Sequence, residues 1–148
     1  MNNMKKDELN YNLNKSPTNK GLVIGSGAAV ILSTMPEIIA HPKSPCWILM
    51  LFSAGLGMEI WGRLKDQMQT NENLIKKHKI KDYQNPAAWA ANCGLFASET
   101  IAWLPSAITT HNLSSIFVVL LSAGFLIPSV RHLKNIIETN KNQIDKIR

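Results

Sequence analysis

The sequence predicts an all-α membrane protein. Four transmembrane helices are formed by a tandem repeat of two helical hairpins, offset by 69 residues, with helical cytoplasmic extensions. Three observations predict it: four apolar runs of spanning length, basic residues gathered on one set of flanks, and a second half that matches the first. Averages hide all three. The 148 residues are 45% apolar with a net charge of +6, values unremarkable for a soluble protein.

Residues 1–19 are polar and rich in Asn and Lys, and are expected to form a disordered cytoplasmic tail. The apolar runs follow at about 21–40, 46–62, 86–108 and 113–130. Each is close to the 17–25 residues a helix needs to cross a bilayer core. Between Gly21 and Trp61 the only charges are Glu37, Lys43 and Glu59, and between Pro86 and Val130 only Glu99. A soluble four-helix bundle would need a polar face on each helix. Residues 113–130 offer only Ser, so no face suits water. The short breaks at 41–45 and 109–112 make hairpins of runs one and two and of runs three and four.

The charges set the orientation. Of sixteen Lys and Arg, four precede run one, six lie between runs two and three, and five follow run four; only Lys43 falls on the other side. This is the positive-inside pattern, so both termini are expected in the cytoplasm. The basic balance then reads as topology. The bilayer is the expected partner, and no nucleic acid is expected. A secretory signal fits Lys20 and the apolar run after it, but no small-x-small cleavage site follows. Cys46 lies at the outer end of span two and Cys93 about two helical turns in from the inner end of span three, a separation expected to exceed what a disulfide can bridge.

Comparing 20–79 with 89–148 gives fifteen identities without a gap. They include Pro36/Pro105, Ser53-Ala54-Gly55/Ser122-Ala123-Gly124, Asn71/Asn140 and Ile75/Ile144. Membrane composition inflates matches of Leu, Ala and Gly. It does not explain paired prolines, nor the TN-N-I-K pattern in both polar segments. The domain reading is therefore two repeats, 20–79 and 89–148, joined by a linker at 80–88. The layout is similar, in architecture alone, to small bacterial inner-membrane proteins built from duplicated two-helix domains, which implies a bacterial inner membrane.

The repeat carries a packing device. Gly21, Gly25, Ala29 and Ser33 recur every four residues on span one, and Ala90, Gly94, Ser98 and Ala102 do the same on span three. Small residues at this spacing let backbones approach closely in lipid, so a seam between spans one and three is expected. Pro36 and Pro105 beyond each ladder are expected to kink both helices. Past spans two and four, Leu64, Met68 and Ile75, and Leu133, Ile137 and Ile144, mark one helical face. Ser16-Pro17 and Asn85-Pro86 each look like an N-cap followed by proline at the first helical position.

Glu99 is the most informative ionisable residue. It lies about 20 Å along span three from its inner end, where the first repeat has Val30. A charge at that depth costs about 2.5–3.5 kcal/mol to insert. The five Leu, Ile and Phe of the span return only about 1.5–3 kcal/mol, so Glu99 is expected to face protein or water. With Glu37, the next step of the small ladder and expected opposite Ser106, it forms the candidate protonatable site. Glu59 and Arg63 are spaced for an ordinary i,i+4 ion pair. His41, His111 and Cys46 lack metal-ligand spacing. The tryptophans fall near span ends, as belt residues do.

No phosphate loop, nucleophile elbow, zinc helix or dinucleotide fingerprint occurs, so neither an enzyme nor a cofactor is expected. What remains is a structural or accessory membrane subunit binding a membrane-protein partner or itself as a homo-oligomer. The alternative is a small transporter or channel subunit working through Glu99.

Overall fold

The computed structural model describes residues 4–147, which are all-helical, with no strand among them. The helices are α1 (Met4–Asn10), α2 (Ser16–Ala40), α3 (Cys46–His78), α4 (Ala87–Thr109) and α5 (Leu113–Asp145). A π-turn, Tyr11–Lys15, joins α1 to α2. The helix α2 packs on both α3 and α4, and α4 packs on α5, so the order across the molecule is α3–α2–α4–α5. The α2–α3 and α4–α5 connections lie at one end. The other end, the tail end, gathers the N-terminal segment, the α3–α4 connection and the end of α5.

Two helical stretches, Lys6–Ala40 and Leu113–Asp145, are long and apolar enough to cross a membrane. Only 11% and 17% of their apolar windows are buried within the chain. α3 and α5 run well past the apolar runs that begin them, to His78 and Asp145. The end of α3 is closed by Lys79 in the left-handed region (φ 53°), whose N–H bonds back to Ile75 and Lys76.

The distribution of side chains is inverted relative to a soluble bundle. Exposed large apolar residues crowd the middle: Phe52 is 70% exposed, Met58 70%, Ile101 71% and Leu120 67%. The buried residues there are small or polar: Gly21, Gly25, Ala29, Ala90, Gly94, Ser115, Ser122, Ser129 and Glu99. The large apolar core sits instead at the tail end, where Leu9, Leu13, Ile80 and Ile144 cluster under Leu74, Ile75, Tyr83 and Ile147.

That cluster corrects one expectation. Residues 4–19 are helical and Leu13 is completely buried; residues 1–3 lie outside the described part. Composition suggested disorder, yet Leu9 and Leu13 stand one turn apart and share a face. Ser16-Pro17 opens α2 but not as an N-cap: Lys15 before it is already helical and no side-chain cap bond forms. The Ser16 N–H bonds to the Tyr11 carbonyl, the i to i−5 bond of a π-turn, which leaves the Asn12 carbonyl free. Pro17 has no N–H to give the Leu13 carbonyl. Both orphaned acceptors are taken up from elsewhere. Gln67 and Asn71 amides donate to Asn12 O, each at 2.9 Å, and the Tyr83 hydroxyl donates to Leu13 O at 2.7 Å.

The second polar clamp is Asn140, 1% exposed. Its Nδ2 donates to Asn14 Oδ1 and to Gln84 O, both at 2.8 Å, while its Oδ1 accepts from Gln84 N at 3.2 Å. The sequence-matched pairs Asn71/Asn140 and Ile75/Ile144 thus all bear on the N-terminal segment or its apolar cluster. At Asn85 the sequence reading agrees with the structure: its Oδ1 accepts from Ala87 N at 3.0 Å, capping α4.

Candidate functional site

The contact between α2 and α4 is made by glycines that tolerate nothing larger. A Cβ on Gly25 would overlap the Ala91 carbonyl oxygen and sit 2.8 Å from Leu95 N. One on Gly94 would overlap the Leu22 carbonyl oxygen and sit 3.1 Å from Ser26 N. One on Gly21 would overlap the Ala87 carbonyl oxygen and stand 2.9 Å from Ala90 Cβ. The two helices therefore run parallel with their backbones in near contact. The contacts are also reciprocal. Gly25 meets residues 91 and 95, and Gly94 meets residues 22 and 26, which are the same positions shifted by 69.

Of the eight ladder residues, Gly21, Gly25, Ala29, Ala90 and Gly94 are buried, Ser33 and Ser98 half-buried, and Ala102 exposed. The seam is tight at the tail end and more exposed toward the loops, where Pro36 and Pro105 lie within α2 and α4. Glu37 is exposed. It does not face Ser106, whose hydroxyl pairs with Ser115 at 3.0 Å instead. The ladder was extrapolated one turn too far, past the level at which its residues are buried.

Between α4 and α5 the packing follows a different rule. Ser115, Ser122, Ser129 and Ile136 are buried at intervals of seven, the spacing of a left-handed helix crossing. Facing pairs fix the register. Ser106 meets Ser115; ten residues along in each helix Phe96 stacks on Phe125 with centroids 5.4 Å apart; seven further Trp89 lies 4.2 Å from His132. This register sets Glu99 level with Ser122.

Glu99 is 9% exposed. Its Oε2 accepts from Trp103 Nε1 at 2.8 Å, one turn along α4, and its Oε1 is buried with no protein partner. Trp103 is therefore tied to the carboxylate as well as lying near a helix end. Glu59 and Arg63 pair at 2.5 Å on the exposed face of α3.

Three side-chain sets escaped the sequence reading. The serine stripe of run four lies in the sequence at a period of seven, which a search for apolar runs does not detect. Asn71 and Asn140 were counted as repeat matches; an apolar-face reading passes over polar residues, although Leu64, Asn71 and Ile75 keep helical spacing. Gln67 and Lys20 form the third set. Lys20 donates to Gln67 Oε1, and burial first, then the nearby Arg63, push its ammonium below the usual lysine range. Comparison with protein-family models, with curated proteins and with solved structures finds no match.

Proposed function

We propose that the chain is a small integral membrane protein that acts as a structural or accessory subunit, binding a membrane-protein partner or a second copy of itself. Its four spans form two hairpins of the same orientation, with both termini in the cytoplasm of a bacterial cell. The observation that carries this reading is the inverted surface. Large apolar side chains face outward around the middle of the helices, while serines, glycines and a glutamate are buried there. Water penalises that arrangement and lipid does not.

Four spans, rather than two, are supported by the tail-end cluster. Leu13 precedes α2, Ile80 follows α3 and Ile144 ends α5, yet the three are packed together. One side of a membrane holds all three only if α2 with α3, and α4 with α5, each make a full round trip. The reciprocal contacts of Gly25 and Gly94 support two repeats related by a pseudo-two-fold axis along the membrane normal. For Glu99, a structural role is favoured by its bond to Trp103 and its burial beside α5. The transporter reading rests on its unpartnered Oε1.

Proteoliposome flux under a pH gradient tests the choice. The accessory reading predicts no flux and full stability for Glu99→Gln. Flux that Glu99→Gln abolishes would replace it with the transporter. Alkaline carbonate tests the membrane reading and is expected to leave the chain in the pellet.

A further inference from the structure

A furrow runs along the face shared by α2, α3 and the start of α4. Its upper stretch, about 420 Å³, lies between Ile24, Gly27 and Ile31 of α2 and Ala54, Met58 and Trp61 of α3. A middle stretch of about 250 Å³ shares Ile24 and Trp61 with it and continues past Leu64 and Met68 beside Ala88 and Ala91. A third, of about 220 Å³, shares Met68 and Asn85 with the second and ends among Asn71, Glu72, Ile75 and Tyr83. The upper stretch alone is within the range of small-molecule sites, about 300–1,000 Å³.

The two ends differ in chemistry. The upper and middle stretches are lined by apolar and small residues, with Asn85 at the lower limit. The lower end offers acceptors. Asn71 is 3% exposed and its buried Oδ1 has no partner among the described residues. Glu72 makes no ion pair among the described residues. Asn85 Oδ1 is committed to Ala87 N, and the Tyr83 proton to Leu13 O. Among the described residues, no lysine or arginine lines this end. A partner helix would cover the apolar stretch equally well. The lower end, with the unpartnered Asn71 Oδ1 nearly three turns beyond Trp61 along α3 and the Glu72 carboxylate beside it, suits a molecule apolar at one end and able to donate hydrogen bonds at the other.

We propose that this furrow holds one phospholipid with a primary-ammonium headgroup, its acyl chain along the α2–α3 stretch and its ammonium at Asn71 and Glu72. The assignment rests on the membrane reading above. Charge complementarity favours an ammonium over an anionic headgroup, because Glu72 would repel the latter.

The test is native mass spectrometry of the full chain in mild detergent, with phosphatidylethanolamine, phosphatidylcholine or phosphatidylglycerol added. One phosphatidylethanolamine is expected to be retained, at least about tenfold more strongly than phosphatidylcholine, whose quaternary ammonium has no N–H to donate. Glu72 is exposed, so Glu72→Gln keeps the fold and is expected to erase most of that preference. Gly27→Phe is expected to remove retention of any lipid. A Cβ there meets only Ser53 O at 3.6 Å, so the aromatic ring has room in the furrow. Equal retention of the three lipids, or a preference untouched by Glu72→Gln, overturns the proposal. So does a dimer that seats no lipid. Carbonate extraction run in parallel keeps the two readings apart: a chain in the pellet with no headgroup preference refutes the lipid site alone, and a chain in the supernatant refutes both.

Discussion

The helix pairs α2–α3 and α4–α5 start from matched sequences and close differently. In α4–α5 the helices are drawn together by Ser115, Ser122 and Ser129, and Phe96 stacks on Phe125. In α2–α3 the positions 69 residues earlier are Cys46, Ser53 and Ile60 for the serines, and Gly27 and Leu56 for the aromatics. One serine has become a bulky isoleucine, and the ring that fills the space in the second hairpin is absent from the first. The result is a closed hairpin beside an open one that keeps a groove. A matched backbone plan thus fixes helix order and direction. Whether a given interface is sealed rests on one or two side chains.

What the hairpins share, the seam, is where substitution is expected to cost most. Gly25→Leu forces a side chain into the Ala91 backbone, which cannot give way as a side chain could. The loss is expected at the upper end of overpacking costs, about 3 kcal/mol, in a denaturation series in mild detergent. Gly55→Leu and Gly124→Leu meet nothing within 4 Å and are expected to be near neutral. Equal costs at all three sites would mean that the seam does not hold the hairpins together.

Next comes the exchange of closure between the hairpins. Phe96→Gly gives the closed hairpin the residue of the open one. Since Phe96 is half-buried, about 2 kcal/mol is expected, below the 3–5 kcal/mol of a fully buried ring. The same denaturation series should find Gly27→Phe neutral or stabilising. Comparable destabilisation by both changes would break the comparison.

A smaller effect is expected at Glu99, where the first hairpin has Val30. Glu99→Gln keeps an acceptor for Trp103 and should leave stability within about 0.5 kcal/mol. Glu99→Leu strands the indole N–H and should cost about 1–2 kcal/mol. If Gln is the more harmful, the carboxylate does more than accept that bond.

The smallest is a pH effect at the tail end. Burial pushes the Tyr83 hydroxyl up to about 12, against a lesser lowering by its hydrogen bond with Asn71. A group whose folded pKa is raised holds its full contribution below the unfolded value near 10 and loses it as pH climbs toward 12. Proteolytic release of the N-terminal segment should therefore rise between pH 10 and 12, and rise less in Tyr83→Phe.

Much of the helix plan could be read before any coordinates. The helix breaks near 41–45 and 109–112 and the small-residue spacing of Gly21, Gly25 and Gly94 are local patterns. What could not be read depends on distant partners. The segment 4–19 looked disordered because Leu9 and Leu13 are outnumbered by polar neighbours; its order comes from Gln67, Asn71, Tyr83 and Asn140, which donate to it from three other segments. Glu37 was misplaced because a ladder on one helix does not reveal how far its neighbour stays in contact with it. The serine stripe could have been found by testing run four against a period of seven.

The central claim is that α2 with α3, and α4 with α5, each cross and return. Single cysteines in a Cys-free chain test it most directly, using Lys43→Cys in the first hairpin loop, Lys81→Cys between the hairpins and Lys146→Cys after α5. With a membrane-impermeant thiol reagent, intact cells should label position 43 only, and permeabilised cells all three. Labelling of position 81 from outside intact cells, with position 146 protected, would contradict the account and leave two spans in place of four.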